Sequence, residues 1–303
     1  VSPPRGDRSS LRSPLLLPLA LLLLGGCGDG DRSPRAFPEE EGDPGLPGVS
    51  VVDDAGRRIE LDAPPGRILS LVPSATRTLL ALGAGSRLVG RTDFDTLPPL
   101  DTLPTVGGGL QPSLERVASL EPDLVVRFAA PSDRRTPERL DALGIAHLAV
   151  RPDGIDDIRR MVRLLARTTG RPGRGDSIVA RIDRNLASVR RRVEGRRRPR
   201  VAFVLGGTPP WVAGPGTFLS ELIEVAGGTN VFADLGELYG PVSPEAFVSR
   251  EIDLLLTVEG EDPGVGGLGI PLRALPPVVR SPGPEVDEAA GILARTLHPD
   301  AFR

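Results

Sequence analysis

Lysine is absent: all 37 basic side chains among the 303 residues are arginine. That excludes a phosphate-binding P-loop lysine and any Schiff base on an ε-amine. Cysteine occurs once, at Cys27, so an internal disulfide and a cysteine-based metal cluster are both excluded. Two histidines, His147 and His298, are too few for a histidine-rich metal site. A formal net charge of −3 gives no general attraction to nucleic acid. The signatures GxSxG, HExxH and CxxC are missing, and no convergent His/Asp/Glu set is apparent. The chain therefore reads as a binding protein and not an enzyme, with no resident cofactor or metal. Aromatic residues make up only 3% of the chain, so the positions of the few large ones are informative.

The chain does contain one conspicuous apolar run. Arg5, Arg8 and Arg12 precede Leu15 to Leu24, a basic segment followed by a short hydrophobic one, as in a secretory signal. The run falls short of the roughly 20 apolar residues that span a bilayer. It ends Leu24-Gly25-Gly26-Cys27, which resembles a bacterial lipobox, where the thiol is lipidated. Residues 1–27 are thus expected to be a lipoprotein signal. The product is expected in the periplasm or on the outer face of the cell membrane, lipid-anchored at Cys27. Residues 28–48, rich in Pro, Gly and acid, read as a flexible tether.

From Val49 the pattern is α/β, and it occurs twice. VSVVDDAGRRIEL reads as a hairpin turning at Asp54-Ala55-Gly56. RILSLV (67–72) reads as a buried strand. PSATRTLLALGAG (73–85) reads as a helix with Ser74 as N-cap and Gly83 or Gly85 at its end. In the second half VAFVL (201–205), GTFLSELIEVAGG (216–228) and NVF (230–232) give strand, helix and strand. SLERVASLEPDLVV (113–126) and SPEAFVSREIDLLL (243–256) coincide at Ser113/Ser243, Glu115/Glu245, Glu121/Glu251 and Asp123/Asp253. Two α/β lobes of related topology are predicted, 49–172 and 196–303, each with a mostly parallel sheet. A bridging helix over 173–195 joins them, its apolar stripe formed by Ile178, Ile182, Leu186, Val189 and Val193. A cleft between two lobes is a preferred ligand site.

Several residues stand out against this frame. Trp211, Tyr239 and Phe94 read as loop aromatics at strand ends, where large rings more often face a ligand than a core. Gly107 to Gly109 allow either a plain turn or a close backbone approach by a ligand. Glu115 and Glu245 sit two residues after Ser113 and Ser243. They are either ordinary first-turn acids or one exposed docking carboxylate per lobe. RRRVEGRRRPR (190–200) reads as the solvated end of the bridging helix.

Together, PPGRILSLVPSATRTLLALGAGSRLVGRTDFDTLPP, TVGGGLQPSLERVASLEPDLVV, FLSELIEVAGGTNVFADL, PVSPEAFVSREIDLLL and SPGPEVDEAAGILARTLHPDAF resemble the class III, metal-chelate type of periplasmic substrate-binding lipoprotein that feeds ABC importers, most closely its cobalamin (vitamin B12) binders. The resemblance implies two Rossmann-like lobes on a long helix and a chelate held between them. It implies docking on a permease and ATPase complex through Glu115 and Glu245. It implies ligand contacts from Phe94, Gly108, Gly109, Trp211 and Tyr239. It further implies a monomer whose cargo is a corrinoid or, alternatively, haem or a ferric siderophore. In the haem reading Tyr239 is the metal ligand, and in the siderophore reading Arg91 and Arg127 line the cleft. A sensory or scaffold lipoprotein on the same fold is the remaining alternative.

Overall fold

The computed structural model describes residues 48–303 apart from Pro131. Cys27 and nearly all of the 28–48 segment lie outside the described residues. Chain order begins with a hairpin, β1 (Val49–Val52) and β2 (Arg58–Leu61), turning through Asp54 to Gly56 as expected. The first lobe continues with β3 (Ile68–Ser70), α1 (Pro73–Ala81), β4 (Leu88–Gly90), α2 (Leu114–Ser119), β5 (Leu124–Phe128), α3 (Arg135–Ala142), β6 (His147–Val150) and α4 (Ile155–Thr168). A long helix, α5 (Pro172–Val193), leads into the second lobe. That lobe contains β7 (Arg200–Phe203), β8 (Trp211–Ala213), α6 (Phe218–Val225), β9 (Thr229–Asn230), β10 (Tyr239–Pro241), α7 (Pro244–Val248), β11 (Leu254–Val258), β12 (Leu272–Leu275) and α8 (Val286–Leu297).

Each lobe carries a four-stranded parallel sheet. The orders are β4-β3-β5-β6 and β9-β7-β11-β12. In both, the first strand of the sheet in chain order is flanked by the second on one side and by the third and fourth on the other. The sheets are buried on both faces, which is why their strands read as continuous apolar runs. Along β3 and β5, Ile68, Leu124 and Val126 join the main core while Leu69 and Val125 join a second core with Val117 of α2 and Leu140 of α3. Along β7 and β11, Val201, Phe203 and Leu256 face the main core while Ala202 and Leu255 face a third core with Phe247 of α7. The period of two thus deals side chains to two helical layers in each lobe.

The 22 residues of α5 make a rod about 33 Å long. Its stripe of Ile178, Ile182, Leu186, Val189 and Val193 is buried, packed against α4 of the first lobe and α8 of the second. Arg181 adds an ion pair to Asp287 at the start of α8, 2.5 Å.

Two local expectations differ from the structure. Ser74 is not the N-cap of α1: Val72 holds that place and Pro73 opens the helix, where its missing N–H costs nothing. Ser74 is buried in the first turn. The helix ends in a Schellman motif, with the Gly83 and Ala84 N–H groups donating to Leu80 and Leu79, and Gly83 supplies the left-handed residue at φ +79°. The strand expected at 230–232 is only Thr229–Asn230, after which the chain turns.

Among the described residues, no helix is long and apolar enough to cross a membrane and no cluster suited to a metal ion occurs.

Candidate ligand-binding cleft

In open parallel sheets, ligands gather beyond the carboxyl ends of the strands. Here those ends from both lobes meet in one cleft of about 500 Å³. Val72 follows β3, Phe94 follows β4, Phe128 closes β5 and Asp153 follows β6, so all four strands of the first lobe's parallel sheet contribute. The second lobe adds Phe218 at the start of α6, Tyr239 on β10 and the segment 277–282 after β12. Below the cleft the lobes are joined. The Phe218 N–H donates to the Asp153 carbonyl at 2.6 Å, and the Ile155 N–H at the start of α4 donates to the Glu221 carboxylate at 2.8 Å. Burial raises the Glu221 pKa above the ordinary glutamate value, and the Ile155 N–H opposes that rise.

Four of the ten aromatic side chains in the chain line this cleft: Phe94, Phe128, Phe218 and Tyr239. Phe94 is 69% exposed, a ring with no core to cover it. Burial, followed by the nearby Asp153 carboxylate, pushes the Tyr239 phenol well above its usual pKa, so it stays protonated. The charged members of the lining are Arg77, Asp153 and Arg280. Asp153 is engaged by Arg151 at 2.6 Å.

Phe94 and Tyr239 are thus brought together, and the other sequence candidates lie around them. Trp211 and Tyr239 are not in loops. They occupy β8 and β10, which pair antiparallel with Tyr239 opposite Ala213 and Trp211 opposite Pro241. Paired residues share a face, so both rings stand on the same side of this ribbon as diagonal neighbours, about 7–8 Å apart at Cα. Three-residue strands framed by Gly and Pro are too short to show a period, which hid them in the sequence. Trp211 is 45% exposed and packs beside Gly207, outside the residues lining the cleft.

Gly108 and Gly109 stand just behind the wall. A Cβ on Gly108 would lie 3.9 Å from the Phe94 ring. One on Gly109 would lie 2.1 Å from the Leu71 carbonyl oxygen. Gly109 is therefore required by packing against Leu71 and Thr92, not by open space for a ligand.

Arg91 and Arg127 do not reach the cleft lining. Side chains alternate along β5, so Arg127 points away from Phe128. It is 5% exposed and its Nε donates to His147 Nδ1 at 3.1 Å. His147 also meets Asp141 at 3.1 Å and lies against Arg57, which ties the β1–β2 hairpin to β6. Sequence reasoning missed Phe128, Phe218, Arg77 and Arg280. The two phenylalanines sit at the last and first residues of regular elements, the places where such elements open onto a cleft.

Glu115 and Glu245 occupy the same place in the two lobes, in the first turns of α2 and α7 after Ser113 and Ser243. Both are exposed. The Ser113 hydroxyl accepts the Arg116 N–H, while Ser243 bonds to the Glu245 carboxylate and lowers its pKa.

A larger recess of about 780 Å³ lies at the far end of α5, lined by Arg190, Arg191, Arg196 and Arg198 together with Glu221 and Glu224. It mixes charges of both signs and contains no aromatic side chain, so it lacks the apolar lining of a small-molecule site.

Residues 68–264 match the family model described as periplasmic binding protein. The chain belongs to this family. It has the two-lobed α/β fold of the class III members. A cobalamin-binding protein of Halobacterium salinarum is 34% identical over 219 residues, covering 69% of this chain and 58% of that relative. The chain thus spans little more than half the length of that protein. An uncharacterized ABC transporter substrate-binding lipoprotein of Bacillus subtilis is 24% identical over 305 residues, covering 94% of this chain and 96% of the relative. The structure of a periplasmic haem-binding protein from Roseiflexus sp. RS-1 superposes with a TM-score of 0.68 at 29% identity, covering 78% of this chain and 98% of the other. Members of the family are exported substrate-binding proteins.

Proposed function

We propose that this protein is the substrate-binding component of an ABC importer for a metal chelate, and that its cargo is a corrinoid such as cobalamin. The observation that carries the reading is the cleft at the strand ends with four aromatic side chains around it. Aromatic faces suit a broad, largely apolar macrocycle. Phe94 and Tyr239 contact the ligand directly, and Trp211, Gly108 and Gly109 support the surface around it. Glu115 and Glu245 dock the two lobes on the permease, whose partner ATPase drives import. Cys27 carries the lipid that holds the protein at the membrane, and the protein works as a monomer.

Haem is the second reading, because Tyr239 places a phenol in the cleft. A phenol that ligates iron must lose its proton, and burial beside Asp153 opposes that loss. The same environment suits Tyr239 as an aromatic face, which favours the corrinoid. A ferric siderophore is less well matched, since Arg91 and Arg127 are turned elsewhere. Calorimetric titration with cyanocobalamin and, separately, haemin distinguishes these readings. One-to-one binding of cyanocobalamin at micromolar concentration or below is expected. Binding of haemin alone, with a Soret shift that disappears in Tyr239→Phe, would transfer the protein to haem uptake.

A further inference from the structure

The cleft wall contains an ion pair that links the two lobes. Arg77 lies on α1 of the first lobe and Glu285 immediately before α8 of the second. Arg77 Nε and Nη2 approach the two Glu285 oxygens at 3.3 and 3.2 Å. Charge-assisted pairs of this kind usually close to 2.7–2.9 Å. The Arg181–Asp287 pair, two residues further along, is closer still at 2.5 Å. The Arg77 pair is therefore loose. Its third nitrogen, Nη1, has no hydrogen-bond partner among the described residues. Both side chains are about a quarter to a third exposed, at 26% and 30%. Arg77 lines the cleft, whereas Glu285 does not.

The other charges of the lining are committed elsewhere. Asp153 is held by Arg151, and Arg280 pairs with Glu261, outside the lining. Arg77 and Arg280 both keep N–H groups to spare, but Arg77 is the cleft cation with the weaker hold on its carboxylate and the one whose carboxylate comes from the other lobe. A guanidinium presents a planar fork to two oxygens at once, and it exchanges one oxyanion for another without changing its own charge.

We propose that Arg77 is the anion-receiving group of the cleft: an oxyanion of the bound chelate takes the place of Glu285 on its guanidinium. Two consequences follow. Binding selects a chelate that carries a carboxylate or phosphate over a neutral relative. Ligand entry also releases one interlobe pair, so the latch is exchanged as the cleft fills. The inference rests on the cleft being the ligand site, as in the proposed function. The shared chemistry is an oxyanion, supplied by the phosphodiester of a complete corrinoid or by the propionates of a porphyrin.

Matched ligand pairs separate these cases in the full chain: cyanocobalamin against dicyanocobinamide, which lacks the phosphodiester, and haemin against its dimethyl ester. The variants are Arg77→Met, which keeps the apolar stem, and Glu285→Gln, which frees the guanidinium. For whichever pair binds, the wild type is expected to favour the member that carries the oxyanion (the anionic member) by tenfold or more. Arg77→Met should remove that preference while changing the affinity for the neutral member less than twofold. Glu285→Gln should tighten the anionic member several-fold. Affinity for the neutral member also reports that each variant is folded. Equal affinity for both members in the wild type, or an unchanged preference in Arg77→Met, would overturn the inference and leave the cleft reading intact. Failure of all four ligands to bind the wild type would overturn the cleft reading, and the inference with it.

Discussion

Asp123 and Asp253, offset by 130 positions, make the same contacts in the two lobes. Each carboxylate accepts the backbone N–H of the arginine at the head of the first parallel strand, Arg67 at 2.8 Å and Arg200 at 2.7 Å. The same two arginines donate their Nε to the carbonyls of Glu121 and Glu251. The N–H groups of Asp123 and Asp253 return to the carbonyls of Arg67 and Arg200. The repeated Glu-x-Asp spacing in the sequence is this clamp, which sets β5 beside β3 and β11 beside β7. Replacing either aspartate by alanine is expected to cost about 1–2 kcal/mol, because it removes charge-assisted hydrogen bonds at the amino ends of two central strands. Urea unfolding of the two single variants checks this, and similar losses are expected from both.

Gly109 has no room for a side chain. Gly109→Ala is expected to destabilise by about 1–3 kcal/mol, because its Cβ must displace the Leu71 carbonyl 2.1 Å away. Gly108→Ala, with its nearest neighbour the Phe94 ring at 3.9 Å, is expected to be close to neutral. Thermal unfolding of the pair makes the comparison.

His147 makes stability depend on pH. Burial first, then the charges of Arg57 and Arg127, lower its pKa in the folded chain, and Asp141 only partly opposes them. The unfolded chain therefore binds the proton more readily. The stabilisation is complete above the unfolded value, about 6.5, and is lost as pH falls from there toward the lower folded value. The unfolding midpoint is expected to fall between pH 7.5 and 5.5. In His147→Asn, which keeps an acceptor for Arg127, most of that slope should vanish. An equal slope in the variant would show that other groups cause it.

The proposed docking role of Glu115 and Glu245 predicts that uptake and binding can be separated. The double variant Glu115→Ala with Glu245→Ala is expected to lose at least tenfold in transport of labelled cobalamin while its ligand affinity changes less than twofold. Each side chain is exposed and removes no core contact. Normal uptake by the double variant would assign these residues no more than a place in a helical first turn.

Much of the fold was legible because it is written in short-range patterns. The stripe of α5 has a helical period over about four turns, and every member of it is buried. The double occurrence of Ser, Glu and Asp at one offset announced two lobes of one topology, now seen as identical strand orders. The cleft was only half legible. Phe94 and Tyr239 could be singled out because large rings are scarce in this chain. Phe128 and Phe218 could not, since each belongs to a regular element and looks like core until the strand ends of both lobes are brought together. The arginines were misassigned for a similar reason. Strand alternation turns Arg127 away from the cleft, while Arg77 looks like an ordinary helical surface residue until Glu285, far along the chain, arrives beside it. Trp211 and Tyr239 sit on strands too short to carry a period.

The most direct test of the cleft as the ligand site uses the lone tryptophan and an exposed ring. Trp211 shares a ribbon face with Tyr239, so its emission reports on a chelate in the cleft. Cyanocobalamin is titrated into the wild type and into Phe94→Asp, a change at a 69% exposed ring that removes little packing. Saturable one-to-one quenching in the wild type is expected, with at least a tenfold weaker affinity in Phe94→Asp at an unchanged melting temperature. Equal affinity in the two proteins would contradict the assignment and place the ligand elsewhere on the molecule.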